Sequence, residues 1–505
     1  MASVPQAYFI GAGPGDVGLL TVRGREVLAR AQVALFDAGV HPDIVTLGPD
    51  EHLLVGDGGE ERLRDPDRIA MEIVRLAREG KTVARVTAGD PYLFGSGDEE
   101  VAFVARHGLR FEVVPGVIGS IAAGAYAGLP LSRRADASPS VALADARAGL
   151  ALHDWSKLAV ATDTLEVLLH LRDLEELVST LLFHGRLPDV PVAVLADVAR
   201  PAQIVVTGLL EDIVGRARSL SRSPVRVLVG EVAGKREGLR WYDRRPLSGK
   251  RVLVTRERSQ ATGTAALLRE RGAEPVMIPT IELRPPRDPA AVERALGSLA
   301  AYGWVAFTSA NGVHRAWTAL TGMGKDARAF GSSRLAAIGP ATAEALLTHG
   351  LRADVVAREF RGEGLATEIL AALGEGAAPR RVLLLRAQEA RDVLPEALRA
   401  AGCEVDIVAA YETRPPEGAT AALRRALEGG ALDAVTFSSS STVTNLCDLV
   451  GPAAPELLAK LKVASIGPVT TATADKLGIR VDVTAPEYTL PGLVEALEAS
   501  YPTRT

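Results

Sequence analysis

Residues 251–256 read Arg-Val-Leu-Val-Thr-Arg, and residues 381–386 read Arg-Val-Leu-Leu-Leu-Arg. Each run is typical of a short buried strand, and each is followed by a helical pattern that ends at a glycine. The spacing of about 130 residues is too long for a solenoid and predicts two similar α/β domains. Two further pairs of segments repeat at nearly the same spacing: Val305-Ala-Phe-Thr-Ser with Val435-Thr-Phe-Ser-Ser, and Ala337-Ile-Gly-Pro with Ser465-Ile-Gly-Pro.

Both repeats also contain the tripeptide Arg-Pro-Pro, at residues 284–286 and 414–416. Proline cannot continue the interior of a sheet, so a strand is expected to end at each site. We therefore expect the chain to cross twice between two domains. One domain is built from about 251–280 plus 417–500, and the other from about 287–405. Two crossings predict a hinge with a cleft beside it.

Short apolar runs alternate with helical patterns along the whole chain, which predicts an α/β protein with parallel sheets. A polar segment containing proline and glycine, residues 240–250, precedes a fresh strand. We place the main boundary there, with one domain at 7–242, a linker at 243–250 and the repeated half at 251–500.

Composition narrows the class of protein. The 505 residues are 47% apolar and 24% charged with a net charge of −5, so a globular chain without a membrane span or a nucleic-acid partner is expected. The first residues lack a secretory signal pattern, which predicts a cytoplasmic location. The only cysteines, Cys403 and Cys447, have no metal-ligand spacing, so neither a disulfide framework nor a metal site is expected.

Four turns rich in hydroxyl groups and glycine follow predicted strands in the repeated half. Such turns present backbone N–H groups and helix N-termini to anions, which suits a substrate with many carboxylates. The alternative is that these hydroxyl groups only cap helices. The candidate residues are Thr308, Ser309, Asn311, Gly312, Gly339, Ser439, Ser440, Gly467 and Thr470.

These segments carry a resemblance to a known family. With Phe307-Thr-Ser-Ala-Asn-Gly312, Ala410-Tyr-Glu-Thr413, Phe437-Ser-Ser-Ser440 and Ser465-Ile-Gly-Pro468, residues 251–500 resemble uroporphyrinogen-III synthase. The resemblance implies that hydroxymethylbilane loses water and closes to uroporphyrinogen-III with ring D inverted, without a cofactor. It implies Tyr411 as the proton donor to the leaving hydroxyl, although a strand-end tyrosine can equally serve packing. Arg256 and Arg386 are candidates for carboxylate binding, or for an interdomain salt bridge.

The N-terminal half resembles a second family. Gly11-Ala-Gly-Pro-Gly-Asp16, Ala88-Gly-Asp-Pro-Tyr-Leu-Phe-Gly95 and Val114-Pro-Gly-Val117 are similar to the tetrapyrrole methylases, and most of all to uroporphyrinogen-III C-methyltransferase. The resemblance implies two α/β subdomains, about 7–116 and 117–242, that bind S-adenosyl-L-methionine between them, and a homodimer formed through this half. The implied cofactor contacts are Gly13, Pro14, Ala88, Gly89, Asp90, Leu93, Ile118, Gly119, Leu169 and Gly208.

The substrate side of this half departs from the family pattern. Asp37 matches the proposed general base, but Asp57, Thr87 and Ser96 stand where the family has basic residues. Losing cations from a pocket for an octacarboxylate is expected to weaken binding. Three hypotheses follow: the half methylates uroporphyrinogen-III to precorrin-2, it methylates another tetrapyrrole, or it is a noncatalytic binding or dimerisation module.

The combined pattern predicts a bifunctional enzyme that supplies heme, siroheme and cobalamin synthesis. A synthase joined to a noncatalytic methylase-like module is the alternative. A periplasmic-type binding protein would share the hinged shape and the anion-binding turns, but it would normally carry the export signal that this sequence lacks.

Overall fold

The computed structural model describes residues 5–56, 63–132, 140–359, 361–373 and 381–502, without the side chains of 258–260. Asp57, one of the expected departures in the methylase-like half, lies outside the described residues. By its internal contacts the chain divides into two compact units. One contains residues 1–252, 266–276 and 494–505, and the other contains 253–265 and 277–493.

The first sheet is parallel throughout and has the strand order β3-β2-β4-β1-β5. Its strands and the helices around it are β1 (Ala7–Gly11), α1 (Val22–Leu28), β2 (Val33–Asp37), α2 (Pro42–Val45), β3 (His52–Val55), α3 (Pro66–Arg78), β4 (Val83–Thr87), α4 (Gly97–Arg106) and β5 (Phe111–Val114). Separate apolar clusters cover its two faces, as the alternation of strands and helices predicts. Its first and last strands span residues 7–114.

The second sheet has the order β6-β7-β10-β8-β9 and is mixed. Its elements are α5 (Gly119–Ala127), β6 (Val141–Asp145), α6 (Trp155–Leu158), β7 (Thr164–Leu169), α7 (Leu174–Phe183), β8 (Pro191–Ala196), β9 (Ile204–Leu209), α8 (Ile213–Arg216), β10 (Val225–Val229) and α9 (Arg236–Leu239). Only β6 and β7 pair in parallel, whereas β7–β10, β10–β8 and β8–β9 are antiparallel. The prediction of parallel pairing is therefore wrong for this sheet. The short connection from β8 to β9 leaves no room for a crossover helix, so these two strands form a hairpin.

The segment expected as a linker, 243–250, is packed rather than free. Leu247 is fully buried, and Arg245 donates a 2.9 Å hydrogen bond to the Arg269 carbonyl.

The elements of the repeated half follow this segment. They are β11 (Arg251–Val254), α10 (Arg258–Glu270), β12 (Glu274–Met277), β13 (Glu282–Arg284), α11 (Pro289–Gly297), β14 (Trp304–Phe307), α12 (Ala310–Gly322), β15 (Arg334–Ala337), α13 (Pro340–Leu347), β16 (Val355–Val356), α14 (Gly362–Leu373), β17 (Arg381–Ala387), α15 (Val393–Ala400), β18 (Glu404–Arg414), α16 (Ala419–Glu428), β19 (Ala434–Phe437), α17 (Ser440–Val450), α18 (Ala454–Leu458), β20 (Lys462–Ser465), α19 (Pro468–Lys476), β21 (Val483–Thr484) and α20 (Leu490–Ala499).

The repeat seen in the sequence is a repeat of sheets. One sheet has the order β12-β11-β19-β20-β21, and the other has the order β13-β18-β17-β14-β15-β16. The equivalent strands β11 and β17, β19 and β14, and β20 and β15 occupy the same positions in the two sheets. The chain passes between the sheets after β12 and again after β18, which confirms the predicted double crossing. An antiparallel strand, β13, is the one addition to the six-stranded sheet.

None of the described helices is both long enough and apolar enough to span a bilayer.

Candidate active sites

A cavity of about 660 Å³ lies beside the carboxyl ends of the first sheet's strands. In a parallel sheet this edge is where ligands bind, since the strand-to-helix loops converge there. Two predicted contacts do not line the cavity: Leu169 is fully buried in the core of the second sheet, and Gly208 lies in β9 beside Asp212. The other predicted residues do line it: Gly13, Pro14, Asp37, Ala88, Gly89, Asp90, Leu93, Ile118 and Gly119.

Two glycine-containing loops form one wall of this cavity. The Gly89 N–H donates to the Gly13 carbonyl at 2.9 Å, and the Gly13 N–H donates to the Gly89 carbonyl at 3.2 Å. Both residues have a φ of 78°, which favours glycine. A Cβ on Gly116 would lie 2.0 Å from the Gly89 oxygen, so only glycine allows this approach. The loops therefore present backbone rather than side chains to the cavity.

The cavity fits the cofactor that the resemblance implies. Leu93, Ile118, Leu168 and Val198 give it an apolar wall suited to a purine base. The Asp90 carboxylate, which also lines the cavity, accepts the N–H groups of Tyr92 and Gly116, each at 2.9 Å. Backbone groups, an apolar wall and a fixed carboxylate together suit a nucleoside with an amino-acid tail.

Asp37 is held at the edge of this cavity by two partners. Its Oδ1 lies 2.7 Å from Arg85 NH2, and its Oδ2 accepts the Ala88 N–H at 3.1 Å. Arg85 is buried and also contacts the fully buried Glu100 through its Nε at 2.7 Å. Burial disfavours the charged guanidinium, but the Asp37 and Glu100 carboxylates outweigh it and raise the pKa of Arg85. The orientation of the Asp37 carboxylate is thus fixed.

The two described departures from the family, Thr87 and Ser96, line the cavity but direct their hydroxyl groups to acceptors of the protein. Ser96 donates to Glu100 Oε1 at 3.0 Å, and Thr87 is buried with its hydroxyl 3.5 Å from the Ile10 carbonyl. Neither side chain replaces a cation on the cavity surface.

Arginines from other positions line the cavity, and the sequence analysis did not single them out: Arg64, Arg147, Arg200 and Arg226. Arg226 NH1 contacts the buried Glu166 at 2.7 Å. Arg147 pairs with Asp145, and the hydrogen bonds of this pair raise the pKa of Arg147. The sequence contains many arginines, so only the fold could show which of them line this cavity.

The six-stranded sheet has a second cavity, of about 380 Å³. Thr308, Arg386 and Tyr411 line it together with Arg361 and Arg391. Tyr411 is 7% exposed and lies at an irregularity of β18, where Arg386 pairs with Ala409 and the next residue, Ala387, pairs with Tyr411. One extra residue in β18, Ala410, therefore interrupts the strand's alternation just before Tyr411.

The Tyr411 hydroxyl lies 2.9 Å from the Ser309 Oγ. Ser309 is the N-cap of α12, and its Oγ accepts the Gly312 N–H at 3.0 Å. The helix start thus fixes the serine, and the serine fixes the tyrosine hydroxyl. A predicted anion-binding turn serves here both as a cap and as a partner of the predicted proton donor.

The two predicted carboxylate-binding arginines differ in their surroundings. Arg386 donates to the Arg391 carbonyl at 2.9 Å and to Asp392 Oδ1 at 2.7 Å, and its side chain is only 11% exposed. Arg256 does not line this cavity, and its partial burial lowers the pKa of its guanidinium. Asn311 and Gly339, in the first turn of α12 and at the start of α13, also lie outside the cavity lining.

The equivalent turns of the five-stranded sheet serve mainly as helix starts. Ser439 forms a reciprocal capping box with Thr442 at the start of α17. Ser440 accepts a 2.9 Å hydrogen bond from Thr473, while Gly467 precedes α19 and Thr470 is buried within it. None of the four predicted residues in these turns lines the cavity that contains Tyr411.

The described residues include no group of three or more His, Cys, Asp or Glu side chains placed to share a metal ion.

Comparison with known proteins assigns both halves. Residues 6–214 match the family model of tetrapyrrole (corrin/porphyrin) methylases, and residues 263–495 match that of uroporphyrinogen-III synthase HemD. A porphyrin biosynthesis protein HemD of Ruminiclostridium josui is 31% identical over 97% of this chain and 96% of its own length. A siroheme synthase of Neisseria meningitidis is 39% identical over 46% of this chain and 49% of its own length.

Two solved structures from Thermus thermophilus are also similar. A uroporphyrin-III C-methyltransferase is 36% identical and covers 47% of this chain and 99% of its own, with a TM-score of 0.41. A mutant uroporphyrinogen III synthase is 21% identical and covers 50% and 98%, with a TM-score of 0.39. Because one relative aligns along nearly the whole length and each half matches its own family model, the chain belongs to the porphyrin biosynthesis protein HemD family and carries a tetrapyrrole methylase and a uroporphyrinogen-III synthase in one polypeptide.

Proposed function

We propose that this chain closes hydroxymethylbilane to uroporphyrinogen-III in its C-terminal half and methylates that product to precorrin-2 in its N-terminal half. The buried Tyr411 is the observation that supports assigning the synthase reaction to particular residues. Its hydroxyl, fixed by Ser309, stands at a cavity lined by three arginines.

In the synthase reaction, Tyr411 protonates the terminal hydroxyl of hydroxymethylbilane, and the C–O bond breaks to release water. The cation left behind is attacked by the substituted carbon of ring D. The resulting spiro intermediate reopens and closes again with that ring inverted, and the ring-D carbon that forms the last bond loses its hydrogen as a proton, which restores the protonated Tyr411. Arg361, Arg386 and Arg391 hold substrate carboxylates, because a guanidinium presents several donors in a planar fork. Catalysis here consists mainly of orienting a flexible polyanion and assisting the departure of one group.

In the methylase half, S-adenosyl-L-methionine would be held by Gly13, Pro14, Ala88, Gly89, Asp90, Leu93, Ile118 and Gly119. When bound, it supplies an electrophilic methyl group. Asp37 accepts the proton that the macrocycle releases from a neighbouring position, because the methylated ring carbon already bears a side chain and becomes quaternary; the direction of the carboxylate at the cavity edge is set by Arg85 and Ala88.

A second candidate is a synthase whose N-terminal half binds a tetrapyrrole or a partner without methylating it. The inward hydrogen bond from Ser96 to Glu100 supports it, because a basic group on the substrate side is missing there.

One coupled assay separates the two candidates. The purified full chain is given hydroxymethylbilane with and without S-adenosyl-L-methionine, and the products are separated by isomer and by number of methyl groups. Uroporphyrinogen-III that becomes dimethylated only with the cofactor supports the bifunctional enzyme. Unmethylated uroporphyrinogen-III in both samples supports the second candidate, whereas isomer I alone contradicts the synthase assignment.

We also propose a cytoplasmic homodimer that supplies heme, siroheme and cobalamin synthesis, without nucleic-acid or membrane partners and with no cofactor in the synthase half. The proposed domains are 7–242 and 251–500, with the synthase divided at its two crossings. The siroheme synthase relatives support the siroheme branch. Exposed apolar side chains on the methylase half, Val160, Phe183 and Leu187, support a dimer through that half.

A further inference from the structure

A strained turn joins β8 to β9 at the rim of the methylase cavity. Asp197 has a φ of 49° and Ala199 a φ of 59°, in the left-handed region that residues with a Cβ rarely adopt. Over the described ranges, one other residue apart from glycine has a positive φ, Phe94 at 58°. Phe94 and Asp197 both line this cavity. Backbone strain of this kind persists only where the surroundings impose it, and it concentrates at functional sites.

Side-chain and backbone hydrogen bonds hold the turn in this conformation. The Ala199 N–H donates to Gln203 Oε1 at 3.0 Å, and Gln203 Nε2 donates to the Tyr126 carbonyl at 3.2 Å. The Arg200 N–H donates back to the Asp197 carbonyl at 3.1 Å. These hydrogen bonds fix the backbone of the turn that carries the Arg200 side chain.

The Arg200 side chain extends from this turn over the glycine-rich loop that follows β1, residues 11–16. Its NH2 donates to the Gly39 carbonyl at 3.0 Å, two residues from Asp37. A Cβ on Gly15 would lie 2.6 Å from Arg200 Nε, so the glycine leaves room for the guanidinium in this position. The arginine is thus held between the proposed base and the proposed cofactor loop.

Arg200 differs from the neighbouring arginines in how its positive charge is compensated. Arg85, Arg147 and Arg226 each contact a carboxylate of the protein within 2.7 Å. Within the described part of the chain Arg200 has a carbonyl partner and no carboxylate in ion-pair distance. Holding an uncompensated guanidinium at a cavity is favourable when an anionic ligand completes it.

We propose that Arg200 binds a carboxylate of the polycarboxylated tetrapyrrole that the methylase half acts on. This inference rests on the proposed function of that half. Arg200 would supply positive charge to a cavity in which Thr87 and Ser96 stand where the family has basic residues. The strained turn fixes the guanidinium before the substrate arrives, so less side-chain freedom is lost on binding.

The test uses the full chain supplied directly with uroporphyrinogen-III, so that the synthase step is bypassed. Arg200→Gln is compared with Arg200→Lys, and with Arg218→Gln as a matched loss of charge outside the cavity. We expect Arg200→Gln to raise the KM for uroporphyrinogen-III roughly 10- to 100-fold, as for one lost charged hydrogen bond. Arg200→Lys should be intermediate because it keeps the charge without the fork, and Arg218→Gln should match the parent. The affinity for S-adenosylhomocysteine, from calorimetry, should stay within about twofold of the parent value.

Three outcomes would overturn the inference: an unchanged KM in Arg200→Gln, an equal rise in Arg218→Gln, or a parallel loss of S-adenosylhomocysteine affinity that shows a collapsed turn. If the parent chain does not methylate uroporphyrinogen-III, the proposed function fails, and binding is then measured by equilibrium dialysis with uroporphyrin III. A site that Arg200→Gln weakens and Arg218→Gln leaves intact still supports the inference. Identical isotherms for both variants overturn it.

Discussion

The proton of the Tyr411 hydroxyl can protonate a leaving group only if it points into the cavity. The Ser309 Oγ already accepts the Gly312 N–H, and it shares a hydrogen bond with Tyr411 in which either atom can donate. When Ser309 is the donor, the tyrosine proton is free for the substrate. We therefore expect Tyr411→Phe to lower the kcat of ring closure about 100-fold, at the lower end of what a general acid contributes. Ser309→Ala should lower it less, because the phenol remains.

Tyr302→Phe is the matched control, since the Tyr302 hydroxyl donates to Asp406 at 2.8 Å and does not line the cavity. Its kcat should equal that of the parent chain. Isomer-resolved chromatography measures each rate against the spontaneous closure to isomer I. A Tyr411→Phe enzyme with the parent's rate would remove the tyrosine from the mechanism.

Asp37 carries the corresponding prediction for methyl transfer. Asp37→Asn keeps the shape of the side chain and its contact with Ala88 but loses the basic oxygen, so the rate with supplied uroporphyrinogen-III should fall at least about 100-fold. Arg85 keeps its second partner, Glu100, so the fold should survive with a loss of about 1–3 kcal/mol. The synthase rate of the same variant is the internal control. Methylation at the parent's rate would show that another group, or water, takes the proton.

At the scale of the element, the approach of β1 to the loops after β4 and β5 depends on glycine. A Cβ on Gly116 would meet the Gly89 oxygen at 2.0 Å and the Gly11 Cα at 2.7 Å, and all of these are backbone atoms. Gly116→Ala should therefore destabilise the methylase half by about 2–4 kcal/mol and weaken binding of S-adenosylhomocysteine at least tenfold. Thermal unfolding and calorimetry measure the two effects.

Gly215→Ala is the comparison, since a Cβ there meets nothing within 4 Å and the residue lies in α8. It should change the stability by less than about 1 kcal/mol. Equal behaviour of the two variants would mean that the sheet relaxes around the extra methyl group.

Strand positions and the internal repeat could be predicted because they depend on local patterns. The run at β17 and its repeat at β11 need only apolar periodicity and the turns that follow. Strand direction is different, because β10 reads as an ordinary buried strand and pairs antiparallel on both sides only through tertiary contacts. The extra residue in β18, Ala410, has no sequence signal either, since alanine fits a regular strand equally well. The sequence therefore places Tyr411 near the end of a strand, which continues to Arg414, but it does not show how the tyrosine faces Ser309.

At the scale of the whole molecule, the lining of the methylase cavity could also be predicted only in part from the sequence. The loop residues from Gly13 to Gly119 could be predicted through the resemblance to the tetrapyrrole methylases, which several glycine- and proline-containing motifs carry together. Arg200 could not, since its role depends on a strained turn at Ala199 that no residue type announces. Leu169 and Gly208 lie outside the cavity lining for a related reason: which strand residues face a cavity is set by how β7 and β9 pair.

The proposed dimer through the methylase half gives the last prediction at this scale. Val160, Phe183 and Leu187 are 56%, 84% and 63% exposed, and the loops that carry Val160 and Leu187 are joined by hydrogen bonds from Arg186 to the carbonyls of Ala159 and Thr162. Contiguous exposed apolar patches on soluble proteins commonly mark interaction sites.

Phe183→Glu should therefore convert a dimer into a monomer, because an ionised carboxylate in a closed apolar contact has no partner there. Leu347→Glu, at a 59% exposed position of α13 in the synthase half, is the matched control and should stay dimeric. Sedimentation equilibrium measures both, and the synthase rate should be unchanged in Phe183→Glu because that half contains its own cavity and Tyr411. If Leu347→Glu dissociates while Phe183→Glu remains a dimer, the synthase half forms the interface. A monomeric parent chain would mean that each polypeptide works alone.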